Sequence, residues 1–330
     1  MEFWLPIIFV SVMGFALLVY VILDGYDLGI GILLPLANDE EKDVMISAIG
    51  PFWDANETWI VLGVGMLLIA FPQAHGIVLT SLYIPVTVML MGLILRGVAF
   101  DFRVKAGDDK RDLWNRLFFV GSLTAATAQG WMLGDYITGL EDGLINTLFS
   151  ALIAITLPAL YIMLGAAWLM IKCGDPVLSM AIRWARVAFL PMGVALLLVS
   201  IATPIVSHEI ADKWFTLPNL IGLIPIPLTC IISFVVISWL LKREDLVAAG
   251  YGWIIFAGLA LICLMAALGL AYSIYPWIIL GKLTIFESAS ATGSLQFALV
   301  GLVITLPMIV AYSIFVYWVF RGRAEKLSYE

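Results

Sequence analysis

Eight long apolar runs constrain this chain more than any other feature. They lie near residues 4–35, 77–99, 118–138, 146–171, 187–207, 220–241, 251–272 and 295–320. Each approaches or exceeds the ~20 residues a helix needs to cross a bilayer. Alternation with period 2 is nowhere sustained, so the expected class is an all-α integral membrane protein of about eight transmembrane helices. Only 12% of residues are charged, half the ~25% of a soluble domain. The runs at 4–35 and 146–171 exceed a bilayer's thickness and are expected to tilt or protrude. A further run, Trp59 to Phe71, is apolar for only 13 residues, a length typical of re-entrant or buried pieces. Lying between Pro51 and Pro72, it is alternatively a ninth, short span. The Met1-to-Tyr20 region lacks a basic n-region and a small-residue cleavage site, which reads as a retained first helix.

Basic residues choose the orientation. Loops 101–116, 172–186 and 242–250 and the tail hold 13 of the 17 Lys and Arg residues, whereas loops 37–50, 139–145, 208–219 and 273–294 hold only Lys42, Lys213 and Lys282. By the positive-inside rule the 13-charge side is cytoplasmic. With eight spans both termini fall on that side; a ninth span would move the N-terminus outside. Interior prolines (Pro85, Pro158, Pro204, Pro225, Pro227, Pro307) are expected to kink several helices. Residues 1–330 read as a single polytopic membrane domain, without internal repeat or soluble module.

Two pairs of acids interrupt this apolar background at i, i+3 spacing, which on a helix sets both members on one face. The first is Asp24 and Asp27; the second is Asp54 and Glu57, with Asn56 between them and Trp53 and Trp59 around them. Ionisable groups in spanning segments mark proton or ion paths, or pair with another charge. A span starting near Trp4 puts Asp24 close to the far interface, where Gly25 and Gly29 break the helix and the carboxylates are solvated. Asp27, one turn on, would return toward the interior only through local structure. For Asp54 and Glu57 the flanking tryptophans favour an interface, but a short helix beginning at depth would bury them beside unpaired N–H groups. Arg96, near the end of run 77–99, is either a snorkelling boundary residue or the partner of an embedded carboxylate.

Other chemistry is sparse. Cys173, Cys230 and Cys263 are far apart and read as small apolar residues. His75 and His208 fall at segment ends, and no Cys/His cluster has metal-ligand spacing. Nothing in the composition points to nucleic acid.

Taken together, Asp24-Gly-Tyr-Asp-Leu-Gly-Ile-Gly31, Gly50-Pro-Phe-Trp-Asp-Ala-Asn-Glu-Thr-Trp59 and Arg96-Gly-Val-Ala-Phe-Asp-Phe-Arg103 resemble subunit II of bacterial cytochrome bd-type quinol oxidases. The likeness runs over the whole length and is strongest in the first ~105 residues. The short loops are similar to those of the cyanide-insensitive branch. The resemblance implies two four-helix bundles, here 1–138 with the acidic motifs and 146–320. It implies a heterodimer in the bacterial inner membrane with a haem-bearing subunit I. That partner would carry two haems b, haem d and the quinol site. This chain would hold no cofactor of its own beyond a structural quinone found in some members. Membrane lipids complete the expected partners, and a small accessory subunit is left open. In related oxidases the acid of the Trp-Asp motif, here Asp54, belongs to a proton path from the cytoplasm to the haem pair used in reducing O₂ to water. Asp27 and Arg96 are also characteristic, while Glu57 stands where relatives can carry glutamine.

A second class, the proton-coupled secondary transporter, also uses embedded acids. Here those acids cluster in the first ~60 residues, and the matched broken helices of transporter halves are missing.

Overall fold

Apolar sequence in lipid must satisfy its backbone internally, and long helices carry most of this chain. The computed structural model describes residues 3–105 and 107–324; the tail residue Lys326 and the termini at Met1 and Glu330 lie outside them. Nine long helices appear among the described residues: α1 (Trp4–Leu33), α2 (Trp53–Ala70), α3 (Tyr83–Lys105), α4 (Asp108–Ile137), α5 (Leu144–Lys172), α6 (Val177–Val206), α7 (Pro225–Leu241), α8 (Gly252–Ile274) and α9 (Thr292–Val319). Seven segments, one on each of these helices except α2 and α4, are long and apolar enough to cross a membrane by length and composition. A two-stranded antiparallel hairpin, β1 (Trp277–Ile279) with β2 (Leu283–Thr284), is the small exception to the all-α expectation.

The eight expected runs match eight of these helices, and the short run 59–71 becomes most of α2. That helix starts six residues before the expected limit of its apolar stretch because Asp54, Asn56 and Glu57 fit its polar first turns. It traverses the bundle: its first turns meet the C-terminal part of α1, while the Ala70 carbonyl at its far end accepts from Ser290 N at 2.8 Å. Several basic loop residues are helical instead. Arg183 and Arg186 lie on α6, and Lys110, Arg111 and Arg116 lie on α4.

The direction of α1 differs from the eight-span reading. Phe3, just before it, stacks on Phe286 at 5.0 Å, beside the 275–291 loop. Its other end carries Tyr26, which stacks on Trp168 at 4.4 Å and hydrogen-bonds Tyr317. Trp168 and Tyr317 lie near the C-terminal segment, where Ala324 N donates to Lys172 O at 2.7 Å. The first and last described residues therefore lie at opposite ends of the bundle, as nine traverses require. Loop 37–50 moves with α1. Trp168 Nε1 donates to Ala48 O at 3.0 Å, and Asp43 pairs with Arg103 at 2.7 Å, so this loop joins the basic end. Its short acidic helix, Asp39–Ser47, is capped by Asn38 and Glu41 in a capping box and offsets part of the positive charge there.

Glycines set how close the helices come. A Cβ on Gly29 would lie 1.7 Å from Tyr161 O, and one on Gly165 would lie 2.7 Å from Gly29 C. Gly25 and Gly29, expected to break α1, instead lie inside it and let α1 and α5 cross backbone to backbone. α5 continues through Pro158, α6 through Pro191 and Pro204, and α9 through Pro307. The largest core cluster takes Tyr26 from α1, Phe118 from α4, Tyr161 from α5 and Ile255 from α8, so packing is continuous across the expected division near residue 140. Gly29→Ala is expected to force α1 and α5 apart and cost about 1–3 kcal/mol as overpacking does; thermal unfolding of the purified complex measures it, and an unchanged midpoint would contradict the crossing.

Candidate functional site

Near the basic end, the C-terminal part of α1, the first turns of α2 and the second half of α3 meet around one guanidinium. Arg96, 1% exposed, donates from Nη1 to Asp24 Oδ1 at 2.6 Å and from Nη2 to Glu57 Oε1. This places Asp24 in the protein interior and not at a solvated interface: its side chain is fully buried. The expectation failed because α1 continues past Asp24 to Leu33 and its C-terminal turns are sheathed by α2, α4 and α5. Arg96 is correspondingly the partner of embedded acids and not a snorkelling residue. A guanidinium suits this position because it stays charged and presents a planar fork to two carboxylates at once.

Asp27 lies one turn from Asp24 and is also fully buried. Its Oδ2 accepts from Asn56 Nδ2 at 2.8 Å, and the same amide donates to Tyr26 OH at 2.8 Å. Tyr317 OH donates to Asn56 Oδ1 at 2.9 Å. With its own proton so used, Tyr317 accepts from Tyr26 OH in their 2.7 Å contact. Asn56, Tyr26 and Tyr317 thus form a closed ring in which each bond fixes the direction of the next. Asp27 Oδ1 has no hydrogen-bond partner among the described residues. A narrow crevice lined by Asp27, Trp53, Arg96, Gly97 and Phe100 runs beside it.

The second acid pair divides. Glu57 joins the cluster with 29% of its side chain exposed, whereas Asp54, one turn nearer the basic end, lies on the surface of the chain. Asp54 occupies the first turn of α2, where the helix dipole favours a negative charge. Trp53 is half-buried and packs on Phe100 at 5.3 Å. Trp59 is 3% exposed and meets Phe15 edge-on at 5.7 Å, making it a packing residue within the bundle.

A second buried polar group extends from the cluster along α1. Gln129 Nε2 donates to Tyr20 OH at 2.7 Å, and Tyr161 OH donates to Gln129 Oε1 at 2.6 Å. Tyr20 precedes Asp24 by one turn. Sequence reasoning missed Tyr317, Gln129 and Tyr161: each sits alone in an apolar run, and only the fold brings it to α1. Among the described residues no group of three or more His, Cys, Asp or Glu could hold a metal, and His75 lies part-exposed on the short helix Pro72–Ser81, away from the cluster.

The site thus belongs to a helical membrane bundle that buries Asp24 and Asp27 and partly buries Glu57 beside one arginine. The profile of the family described as cytochrome bd terminal oxidase subunit II matches residues 5–320. The chain belongs to that family. It is 28% identical over 348 residues to a Bacillus subtilis (strain 168) protein named cytochrome bd ubiquinol oxidase subunit 2, covering 98% of this chain and 96% of that one. It is 24% identical over 381 residues to the Escherichia coli (strain K12) cytochrome bd-I ubiquinol oxidase subunit 2, covering 99% and 96%. Its fold matches a chain in the structure of bd oxidase from Geobacillus thermodenitrificans with a TM-score of 0.75 and 19% identity, over 96% of this chain and 98% of that one. The chain is therefore a subunit of a terminal quinol oxidase, an oxidoreductase complex that contains haem and a subunit I. The secondary-transporter reading finds no support.

Proposed function

We propose that this chain is the haem-free subunit of the oxidase and that Asp54 and Glu57 form the entry of a proton path toward the haems of subunit I. The observation that carries the reading is the arrangement of α2. Its exposed Asp54 and part-exposed Glu57 share one face, with Arg96 and Asp24 behind them. Reduction of O₂ to water consumes a proton for each electron, and delivery to a buried site needs chains of acids and water. Asp54, at the basic end, takes up the proton; Glu57, one turn deeper, passes it on along the exposed face of α2, where subunit I covers it. Asp27, with its unpaired oxygen on the crevice, is a second acid from which the path draws. Arg96 holds Glu57 and Asp24 in place without exchanging a proton itself, since guanidinium stays charged. The apolar bulk around the cluster keeps water out, which strengthens each of these contacts.

Haem b and haem d sit on subunit I in this reading, as does the quinol. The chain expressed alone is expected to bind no haem, while co-expression with subunit I yields a complex with the absorption bands of both haem types. Stoichiometric haem on the isolated chain would overturn the division of labour. The basic end faces the cytoplasm of a bacterial inner membrane by the positive-inside rule. A reporter fused after Glu330 should therefore be cytoplasmic, and one in the 138–143 turn external; a cytoplasmic signal from the second fusion would reverse the orientation.

A further inference from the structure

Between α6 and α7 lies an open groove of about 390 Å³, lined by Phe189, Phe234, Val235, Ser238, Trp239 and Lys242. Its volume falls within the range of about 300–1,000 Å³ usual for small-molecule sites. The two helices touch at its walls, where Phe189 and Phe234 lie 4.7 Å apart. At its basic end Arg186 closes the seam, donating from Nε to Leu241 O at 2.7 Å and from Nη1 to Glu244 at 2.7 Å.

The walls and the mouth differ in chemistry. The walls are mostly aromatic and aliphatic, the mouth carries Lys242, and Arg243 lies beside Trp239; both cations are exposed and in no ion pair among the described residues. The guanidinium of Arg243 lies 5.8 Å from the ring of Trp239, which is itself 52% exposed. Glu244, the nearest acid in sequence to this mouth, is already held by Arg186. An amphiphile with an anionic head fits this division: its chain lies along the groove and its head meets Lys242 and Arg243. We propose that the groove between α6 and α7 binds an anionic phospholipid of the basic-end leaflet, phosphate at Lys242 and Arg243 and one acyl chain against Phe189, Phe234 and Trp239. Basic pockets between membrane helices on the cytoplasmic side bind such headgroups. The proposal needs only the membrane-spanning fold and does not depend on the proton path.

The test uses the purified, delipidated oxidase complex in mild detergent. Phosphatidylglycerol and phosphatidylcholine with identical chains, brominated on one acyl chain, are titrated while tryptophan fluorescence is read. Phosphatidylglycerol is expected to quench at concentrations at least fivefold lower than phosphatidylcholine, and the difference should disappear when Trp239 is replaced by Phe. Lys242→Gln combined with Arg243→Gln should abolish the preference while leaving oxygen turnover unchanged. High salt should reduce the preference in the unaltered complex, which keeps the test open if the double variant assembles poorly. Inorganic phosphate alone should not compete, since it lacks the chain. Equal quenching by the two lipids, a preference that survives both substitutions and high salt, a phosphatidylglycerol preference that persists without Trp239, or displacement of the lipid by a soluble quinone would each overturn the assignment.

Discussion

Replacing Arg96 with glutamine is expected to destabilise the complex by about 3–5 kcal/mol, the range measured when one partner of a buried ion pair is removed. Arg96 is 1% exposed and answers Asp24, whose side chain is fully buried, and Glu57. Without the guanidinium those acids face each other and Asp27 with no cation between them. Lysine keeps the charge but offers a compact ammonium in place of the planar fork, so Arg96→Lys should fall between wild type and glutamine. Neutralising one of the stranded acids as well, in Arg96→Gln with Asp24→Asn, should recover part of the loss, because residues in one network couple by about 0.5–3 kcal/mol. Thermal unfolding of the detergent-solubilised complex, with Asp24→Asn alone included, gives all five midpoints. A wild-type midpoint for Arg96→Gln, or strict additivity in the double variant, would mean the cluster does not hold the first three long helices together.

Much of this architecture is legible from hydropathy alone, and the part that is not has a single cause. Eight runs appear as eight helices, yet the short run 59–71 is only the apolar part of a helix whose first turns carry Asp54, Asn56 and Glu57, and so falls below the length expected of a span. Once α2 is taken as a full traverse, α1 must run the other way. Asp24 then moves from a solvated interface to the core, and loop 37–50 joins the basic end, where Asp43 meets Arg103. By sequence alone Gly25 and Gly29 suit a helix break, because spacing does not distinguish flexibility from close approach. Contact of Gly29 with the Tyr161 carbonyl decides it. The acids, Asn56 and Arg96 announce themselves by standing in apolar sequence. Tyr317 does not, since its role exists only where α9 crosses α1, 291 positions from Tyr26.

Asp54→Asn and Glu57→Gln should leave the complex assembled but slow oxygen reduction at least tenfold each, a barrier rise of about 1.4 kcal/mol. Both replacements preserve shape and hydrogen-bonding capacity while removing the exchangeable proton. Glutamine at position 57 still offers Arg96 a carbonyl oxygen, so the loss there should be kinetic and not structural. Asp54 is exposed on this chain and contributes no side-chain contact to the cluster, which makes its substitution the cleaner of the two. The most direct test of the proton path is quinol-driven oxygen consumption by the Asp54→Asn complex, with haem content and melting midpoint measured on the same sample. The account predicts full haem, an unchanged midpoint and turnover reduced at least tenfold; full turnover at full haem would contradict it.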